Sequence, residues 1–305
     1  SQFAGIAAST ELFGLSRYIF VPLVALFVSV LVIRGSFRFV EKVLLFLSLA
    51  ALSYIVTAFI QKPDWGEIVR QAVTPSFTGG SDYFFTLLAV VGTTITPWGI
   101  VYMQASVAEK GTALNEYKLT RLDVILGSVW GNVVSAFIII CTAAQLFKLG
   151  IRVESAEQAA LALEPLAGSW AKILFSVGLF SASLLAASVL PLSTSYAVAE
   201  TLGWERGIGQ PLREARAFFA LYIGIIVVSV GVILIPGIPL FPLMWLSQTV
   251  NAIVLPILLF YLLKLANNRR ILGDWVNTAM QNGLARVMML LVIATTVFMF
   301  GTMVI

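Results

Sequence analysis

The sequence has no histidine, one cysteine and little charge. Asp, Glu, Lys and Arg make up 11% of its 305 residues, against about 25% in soluble domains. Without histidine, no imidazole can ligate a metal or titrate near neutral pH. Cys141 alone can form neither a disulfide framework nor a thiolate metal cluster, and we expect an inert core residue. Because no nucleophile stands with a base and no carboxylate pair is recognisable, the sequence does not favour an enzyme.

The chain consists instead mainly of long apolar runs. Hydrophobic residues make up 59% of it, in runs of roughly 17 to 25 residues, which cross a ~30 Å hydrocarbon core as a helix. The runs are continuous, which excludes the alternating pattern of a membrane barrel. We therefore predict an all-α integral membrane protein with a single transmembrane domain over 1–305. It has one partial span at 2–13 and full spans at 17–34, 42–61, 82–106, 122–147, 170–199, 216–235, 241–264 and 284–304.

The distribution of cations predicts the orientation in a cell membrane. Thirteen of the 19 Lys and Arg residues fall on one side of the predicted spans, and the side richer in cations is cytoplasmic. This places the chain start outside and the loops at 35–42, 107–121, 200–216 and 265–283 in the cytoplasm. The cations form no basic patch with interleaved aromatics, so we expect no nucleic-acid partner. We expect a monomer in the bilayer.

One predicted span is weakened at its centre by the stretch VGTTITPWGIVYMQ at 91–104. Pro97 removes a backbone donor, Gly92 and Gly99 weaken the helix on either side, and the threonines can bond to freed carbonyls. Irregular backbone at this depth survives only when it is buried in protein or lines a wet cavity. Transporters use such discontinuous helices to hold ions near the midplane. The alternative is an ordinary proline kink without function.

A second polar cluster lies in the predicted span 241–264. Gln248 and Asn251 are three residues apart, so they share one helix face. Amides at this depth usually face the bundle interior, where they could contact an ion or simply bond to a neighbouring helix. The remaining acids, among them Asp123 and Glu200, we interpret as interfacial or capping charges, with an Arg–Asp pair at Arg121 and Asp123. Gly127 and Gly131 are spaced for close helix contact.

The chain resembles the Nramp-type divalent metal transporters nearly end to end. The stretches that carry the resemblance are QFAGIAASTELFG (helix 3), GTTITPWGIVYMQAS (helix 6), EQAALALEPLAGSWAKILFSVGLFSA (before and in helix 8) and LSQTVNAIVLPILLFYLLKLANNRRILGDWVN (helix 10 and beyond). The resemblance implies a LeuT-type inverted-repeat transporter fold, here from the end of helix 3 to helix 11. Helices 1 and 2 would then lie upstream of this sequence.

Three departures from the family pattern distinguish this chain. The family's metal-binding methionine of helix 6 is Thr96 here, the following histidine is Trp98, and the helix 3 glutamate of the proton path is Gln2. A thioether favours soft transition metals, whereas a hydroxyl suits hard cations. The chain is therefore most similar to the Nramp-related magnesium transporters, which carry hydrated magnesium without proton coupling. The absence of histidine also argues against a proton relay.

The resemblance also implies the site residues. Thr93 should offer its backbone carbonyl, Thr96 its hydroxyl or a water contact, and Gln248 its amide, with Asn251 weaker. Gly92, Pro97 and Gly99 would set the helix break, and Trp98 would gate the inner side or pack. The family's charged ligand, an aspartate in an Asp-Pro-Gly motif, has no counterpart because no Asp-Pro pair occurs. We expect it upstream, and we do not expect the isolated chain to transport.

The predicted function is therefore transport of divalent metal ions, hydrated Mg2+ first and Mn2+ second, by uncoupled alternating-access uniport. The transported ion would be substrate, and we predict no cofactor. The alternatives are a proton-coupled Mn2+/Fe2+ Nramp transporter, an organic-solute transporter for amino acids on the LeuT-like fold, and a non-transporting membrane subunit whose polar clusters only hold helices together.

Overall fold

The computed structural model of the chain describes residues 1–34, 46, 49–74, 80–109, 111–147, 149–151 and 153–304. Within these residues the regular elements are all helices, and no strand occurs. The α-helices, numbered α1 to α14, are Gln2–Glu11, Arg17–Ile33, Ser53–Gln61, Trp65–Val73, Ser81–Thr94, Pro97–Glu109, Tyr117–Thr142, Ala156–Ala160, Glu164–Ala167, Ala171–Leu202, Arg216–Ile233, Leu240–Ala266, Arg269–Leu272 and Ala279–Val304.

Helices long and apolar enough to cross a membrane follow the predicted spans. In the described residues there are six of them: Asp82–Ala108, Leu114–Phe147, Ala156–Leu202, Arg216–Ile233, Leu240–Ala266 and Ala279–Gly301. Two shorter apolar helices cover Arg17–Ile33 and Leu49–Gln61. The loop at 35–42 and the start of the span at 42–61 lie outside the described residues. The total number of spans and the orientation stay predictions.

The outer surface of these helices is apolar. Leu26, Val228 and Ile257 are 62%, 67% and 62% exposed, and they stand in the middle of their helices. Such large exposed apolar surfaces are unusual on a soluble monomer. Lipid tails are as apolar as leucine, so this surface fits a helical protein embedded in a bilayer.

The chain forms two compact units, one of residues 1–75 with 101–244 and the other of residues 76–100 with 245–305. In the first unit, α1 packs along α10, and all of residues 3–10 are buried. The approach is close at Gly5, where a Cβ would lie 2.2 Å from the Ser183 hydroxyl. Serines of α10 donate hydrogen bonds to carbonyls of their own helix, such as Ser188 to Leu184 and Ser195 to Pro191, each at 2.8 Å.

A second core cluster of the first unit surrounds Cys141. The cysteine is fully buried, and its thiol donates to the Ala162 carbonyl at 3.1 Å. This environment matches the inert core residue that the sequence predicts.

The first half of α7 does not make the contacts that the sequence predicts. Gly127 and Gly131 have nothing within 4 Å of an added Cβ, so in the described structure no helix approaches closely there. Arg121 and Asp123 are both exposed and form no ion pair with each other among the described residues. Residues two apart on a helix point to different faces, which explains why the expected pair does not form.

Helix α4 is a short amphipathic helix outside the spans. Asp64 caps its start by accepting from the Glu67 N–H at 3.1 Å, and Arg70 forms an ion pair with Glu67 at 2.7 Å. Hydrogen bonds from Arg70 and Gln71 lower the pKa of Glu67. A helix with one charged face and an exposed apolar face is typical of a membrane surface.

The second unit packs α5, α12 and α14 around one apolar core. Its buried residues are Phe84, Leu88, Ala252, Leu255, Leu259, Val292 and Met299. Phe84 and Phe298 stack with ring centroids 5.7 Å apart. This unit contains the helix break at 95–96 and the amide pair of α12.

Candidate functional site

The chain leaves the helix for two residues between α5 and α6. Helix α5 ends at Thr94, Ile95 is extended with φ −119° and ψ 91°, and α6 begins at Pro97. Pro97 has no N–H to donate to the Thr93 carbonyl, as a continuous helix would require. The predicted interruption of this span is therefore confirmed, and the break is at Ile95 and Thr96.

Thr96 stands at the start of α6. Its carbonyl accepts from the N–H groups of Gly99 at 3.1 Å and Ile100 at 3.4 Å, which uses the carbonyl for the new helix. A Cβ on Gly99 would lie 2.7 Å from the Thr96 hydroxyl, so glycine here leaves room for that hydroxyl. By contrast, the Thr94 hydroxyl donates to the Val90 carbonyl of its own helix at 2.7 Å. Of these two threonines, Thr96 is therefore the better placed to offer a side-chain oxygen.

The end of α5 carries negative electrostatic potential. The last carbonyls of a helix lack partners within the helix, and their summed dipoles amount to roughly half a negative charge. The Val91 carbonyl accepts from the Ile95 N–H at 3.0 Å. Thr93 and Thr94 are the last two residues of α5. Negative potential is therefore expected on the α5 side of the break, where the Thr93 carbonyl lies.

Helix α12 contacts α5 backbone to backbone at Gly92. A Cβ on this glycine would lie 1.9 Å from the Gln248 carbonyl oxygen and 2.8 Å from the Ala252 nitrogen. Any residue other than glycine would push the two helices apart. Gly92, which was predicted to help set the break, lies two residues before the end of α5 and makes this close contact; its effect on the break stays a prediction. The contact brings the broken helix and the amide-bearing helix together.

The two amides of α12 are joined to each other. Asn251 Nδ2 donates to Gln248 Oε1 at 3.1 Å, and the face that they share was predicted from their spacing. An amide oxygen has two lone pairs, so Gln248 Oε1 keeps capacity for a second partner. Thr249, on a different face, donates to the carbonyls of Trp245 at 3.2 Å and of Phe85 in α5 at 3.4 Å.

The donor set of this site consists of neutral oxygens. Thr93, Thr96, Gln248 and Asn251 all lie in the second unit. In the residues that the structure describes, no group of three or more His, Cys, Asp or Glu side chains could hold a metal ion. Carbonyl, hydroxyl and amide oxygens suit hard cations. A bare divalent ion would need more charge compensation than these groups supply.

The other predicted site residues are placed as follows. Trp98 is half-buried in the first turn of α6, and its role as gate or packing residue stays a prediction. Gln2 begins α1 and is half-buried. It lies in the first unit, whereas Thr93, Thr96, Gln248 and Asn251 lie in the second.

Sequence reasoning missed a charged cluster in the first unit. Glu200 was interpreted as an interfacial charge, yet its carboxylate accepts from Gln104 Nε2 at 2.9 Å and pairs with Arg206 Nε at 3.1 Å. A weak signal was present, because Glu200 and Arg206 flank Gly203, which ends α10 in a left-handed conformation with φ 69°. Such a turn brings the residues on its two sides together.

Comparison with known proteins assigns the family. The model of the family described as "Natural resistance-associated macrophage protein-like" (Nramp) matches residues 1–302. A divalent metal cation transporter MntH of Caldanaerobacter subterraneus subsp. tengcongensis is 23% identical over 76% of this chain and 53% of its own length. Proteins of that name from Bacillus subtilis and Klebsiella pneumoniae are 24% and 26% identical, over 83% and 89% of this chain and 58% and 64% of their own lengths.

The chain thus spans between half and two thirds of the length of these relatives, which are named as transporters rather than enzymes. The family match covers nearly all of the described helices. The chain belongs to the Nramp family of multi-pass membrane transporters with the LeuT-type fold.

Proposed function

We propose that the protein transports divalent metal ions, with hydrated Mg2+ as its first substrate and Mn2+ as a second, by uncoupled alternating-access uniport. The observation that carries this proposal is the helix break at Ile95 and Thr96, which follows three residues after the backbone contact of Gly92 with Gln248. Relatives named as divalent metal cation transporters support the substrate class.

The chemistry of the site supports magnesium among the divalent ions. Mg2+ prefers oxygen ligands, dehydrates reluctantly and usually keeps several of its waters. Thr96 offers a hydroxyl where the family resemblance expects a thioether, and the Thr93 carbonyl and Gln248 amide add two more neutral oxygens. A hydrated ion needs less charge from the protein than a bare one, because its waters remain as ligands.

Each residue has a role in this proposal. Thr93 and Thr96 contact the ion or its waters from the broken helix, and Gln248 does so from α12. Asn251 acts mainly on Gln248, because its hydrogen bond to Oε1 orients that amide. Pro97 terminates the hydrogen-bond ladder of α5, and Trp98 closes or packs the inner side.

A second candidate is a proton-coupled transporter of Mn2+ or Fe2+. The names of the relatives favour it as directly as they favour any divalent ion. It would require titratable groups along the transport path. The substitutions at Gln2, Thr96 and Trp98 relative to the family pattern, and a sequence without histidine, favour the uncoupled magnesium carrier instead.

Uptake into proteoliposomes containing the full-length natural protein separates the two candidates. With magnesium and manganese compared and internal pH recorded, we expect magnesium entry without acidification, and loss of this flux in the double variant Thr96→Ala, Gln248→Ala. Manganese entry with acidification and no magnesium entry would establish the proton-coupled carrier. Undiminished flux in the double variant would show that these oxygens do not contact the ion.

Removing the Asn251 amide is expected to weaken magnesium binding only mildly. Hydrogen bonds between polar side chains in membrane helices contribute about 0.6 kcal/mol on average, so Asn251→Ala should raise the half-saturating magnesium concentration about threefold. The measurement is the concentration dependence of uptake. Val250→Ala, on the exposed face of the same helix, is the control and should leave that concentration unchanged. If Asn251→Ala raises the half-saturating magnesium concentration as much as Gln248→Ala does, Asn251 is a direct ligand.

A further inference from the structure

The Glu200 cluster, made of Gln104, Glu200 and Arg206, joins three parts of the first unit. Glu200 lies near the end of α10, Gln104 lies in α6, and Arg206 lies in the segment after α10. One carboxylate oxygen accepts a hydrogen bond from Gln104 at 2.9 Å, and the other forms an ion pair with Arg206 Nε at 3.1 Å. The hydrogen bond from Gln104 has a charged acceptor, and such bonds are stronger than neutral ones.

The cluster stands beside a cavity of about 390 Å³. Its lining includes Ala105, Ala108, Glu200, Glu205 and Arg206. Ala105, next to Gln104 in α6, is only 3% exposed and belongs to the buried core of the unit. The Glu200 side chain is 22% exposed and that of Arg206 42%. The contacts of Glu200 therefore lie between the buried core around Ala105 and the cavity.

The part of α6 that belongs to the first unit is residues 101–109. Gln104 lies within this part, and its side-chain amide donates to the Glu200 carboxylate of α10. Loss of that bond would weaken the contact between this part of α6 and α10.

We propose that Glu200 is a positioning residue that holds residues 101–109 of α6 against α10, and that release of Gln104 lets this part of α6 move away from α10 and enlarge the cavity beside Ala105. The conformational claim stands on the contacts of this cluster, and its link to ion movement rests on the proposed transport function. Because Gln104 donates an uncharged amide, its bond is the one to break in the cycle, whereas the ion pair keeps Glu200 in place.

The test is the rate at which a maleimide labels Ala105→Cys in the full-length natural protein. The native Cys141 is buried and serves as the slow background. We expect Glu200→Ala and Gln104→Leu each to raise the labelling rate by roughly tenfold, since each removes a charge-assisted bond. Glu205→Ala is the matched control, because it removes a carboxylate from the same cavity wall outside the cluster, and it should leave the rate unchanged.

Glu200→Gln is the second variant, in case the alanine variant does not fold. It keeps an acceptor for Gln104 but loses the charge that pairs with Arg206, so we expect a smaller rise than in Glu200→Ala. The proposal is overturned if Gln104→Leu leaves the labelling rate of Ala105→Cys unchanged. It is also overturned if Glu205→Ala raises that rate as much as Gln104→Leu does.

Flux measurements on the same variants distinguish positioning from a general structural role. We expect Gln104→Leu to change the maximal rate of magnesium uptake while the half-saturating concentration changes less than about twofold. Equal changes in both quantities, together with unchanged labelling, would indicate general damage. Labelling that rises as expected in a protein without magnesium flux would retain the positioning role of Glu200 and reject the proposed substrate.

Discussion

Replacing Gly92 with alanine is expected to separate α5 from α12 and to destabilise the second unit. The added Cβ would meet the Gln248 carbonyl oxygen at 1.9 Å and the Ala252 nitrogen at 2.8 Å. Both are backbone atoms of a helix, so neither can rotate away as a side chain would. Overpacking of a well-packed interior costs about 1–3 kcal/mol, and we expect the upper part of this range. The separation would also move Gln248 away from the broken helix and abolish ion uptake.

The measurement is the apparent melting temperature of the purified protein, followed by uptake where the variant survives. Gly127→Ala is the matched control, because this glycine also lies within a long apolar helix but has nothing within 4 Å of an added Cβ. Alanine is the better helix former by about 1 kcal/mol, so the control should be neutral or stabilising. Equal melting temperatures for the two variants would contradict the backbone contact at Gly92.

Replacing Thr96 with methionine is expected to shift ion preference from magnesium towards manganese and cadmium. The substitution exchanges a hard hydroxyl oxygen for a soft thioether at the start of α6, where Gly99 leaves space beside the side chain. We expect the ratio of manganese to magnesium uptake to rise by at least about tenfold, which corresponds to ~1.4 kcal/mol. Competition of each ion against labelled manganese measures this ratio in proteoliposomes.

Thr94→Met is the control for this exchange. Thr94 is two residues away, but its hydroxyl is bonded to the Val90 carbonyl of its own helix and the residue is exposed. A thioether there should leave the uptake ratio unchanged. If Thr96→Met also leaves the ratio unchanged while the protein stays folded and active, then Thr96 does not contact the ion, and the magnesium proposal loses its main chemical support.

The helical spans could be predicted from hydropathy because lipid requires a continuous apolar length. The span at 216–235 is observed as Arg216–Ile233, and the one at 241–264 as Leu240–Ala266. The start of α7 was placed five residues late, at 122 instead of Tyr117. Lys118 and Arg121 continue the helix beyond the apolar run, and hydropathy does not detect a helix that extends past the membrane.

The helix break could also be predicted, because Pro97 acts locally on the hydrogen bonds of its own helix. The contact of the same helix with α12 could not be predicted. Gly92 and Gln248 are far apart in sequence, and nothing local distinguishes a glycine that admits a neighbouring backbone from one such as Gly127 that faces open space. The spacing of Gln248 and Asn251 predicted that they share one face of the helix, but it did not predict the hydrogen bond that joins them.

Charged residues were the least predictable part of the molecule. Glu200 and Asp123 both stand near span ends; Glu200 was interpreted as an interfacial charge, and Asp123 was expected to pair with Arg121. The structure gives Glu200 two bonded partners, whereas Asp123 lies exposed on α7. Position along a span sets the depth of a carboxylate in the membrane, but only the rotation of its helix decides what it faces.

The interface of α1 with α10 has a mechanical consequence. Gly5 of α1 leaves room for the Ser183 side chain of α10, because an added Cβ would clash with the Ser183 hydroxyl. Sliding α1 along α10 would therefore have to lift one backbone over that side chain. We expect the two helices to move as one rigid body, held in register by the shape of this contact.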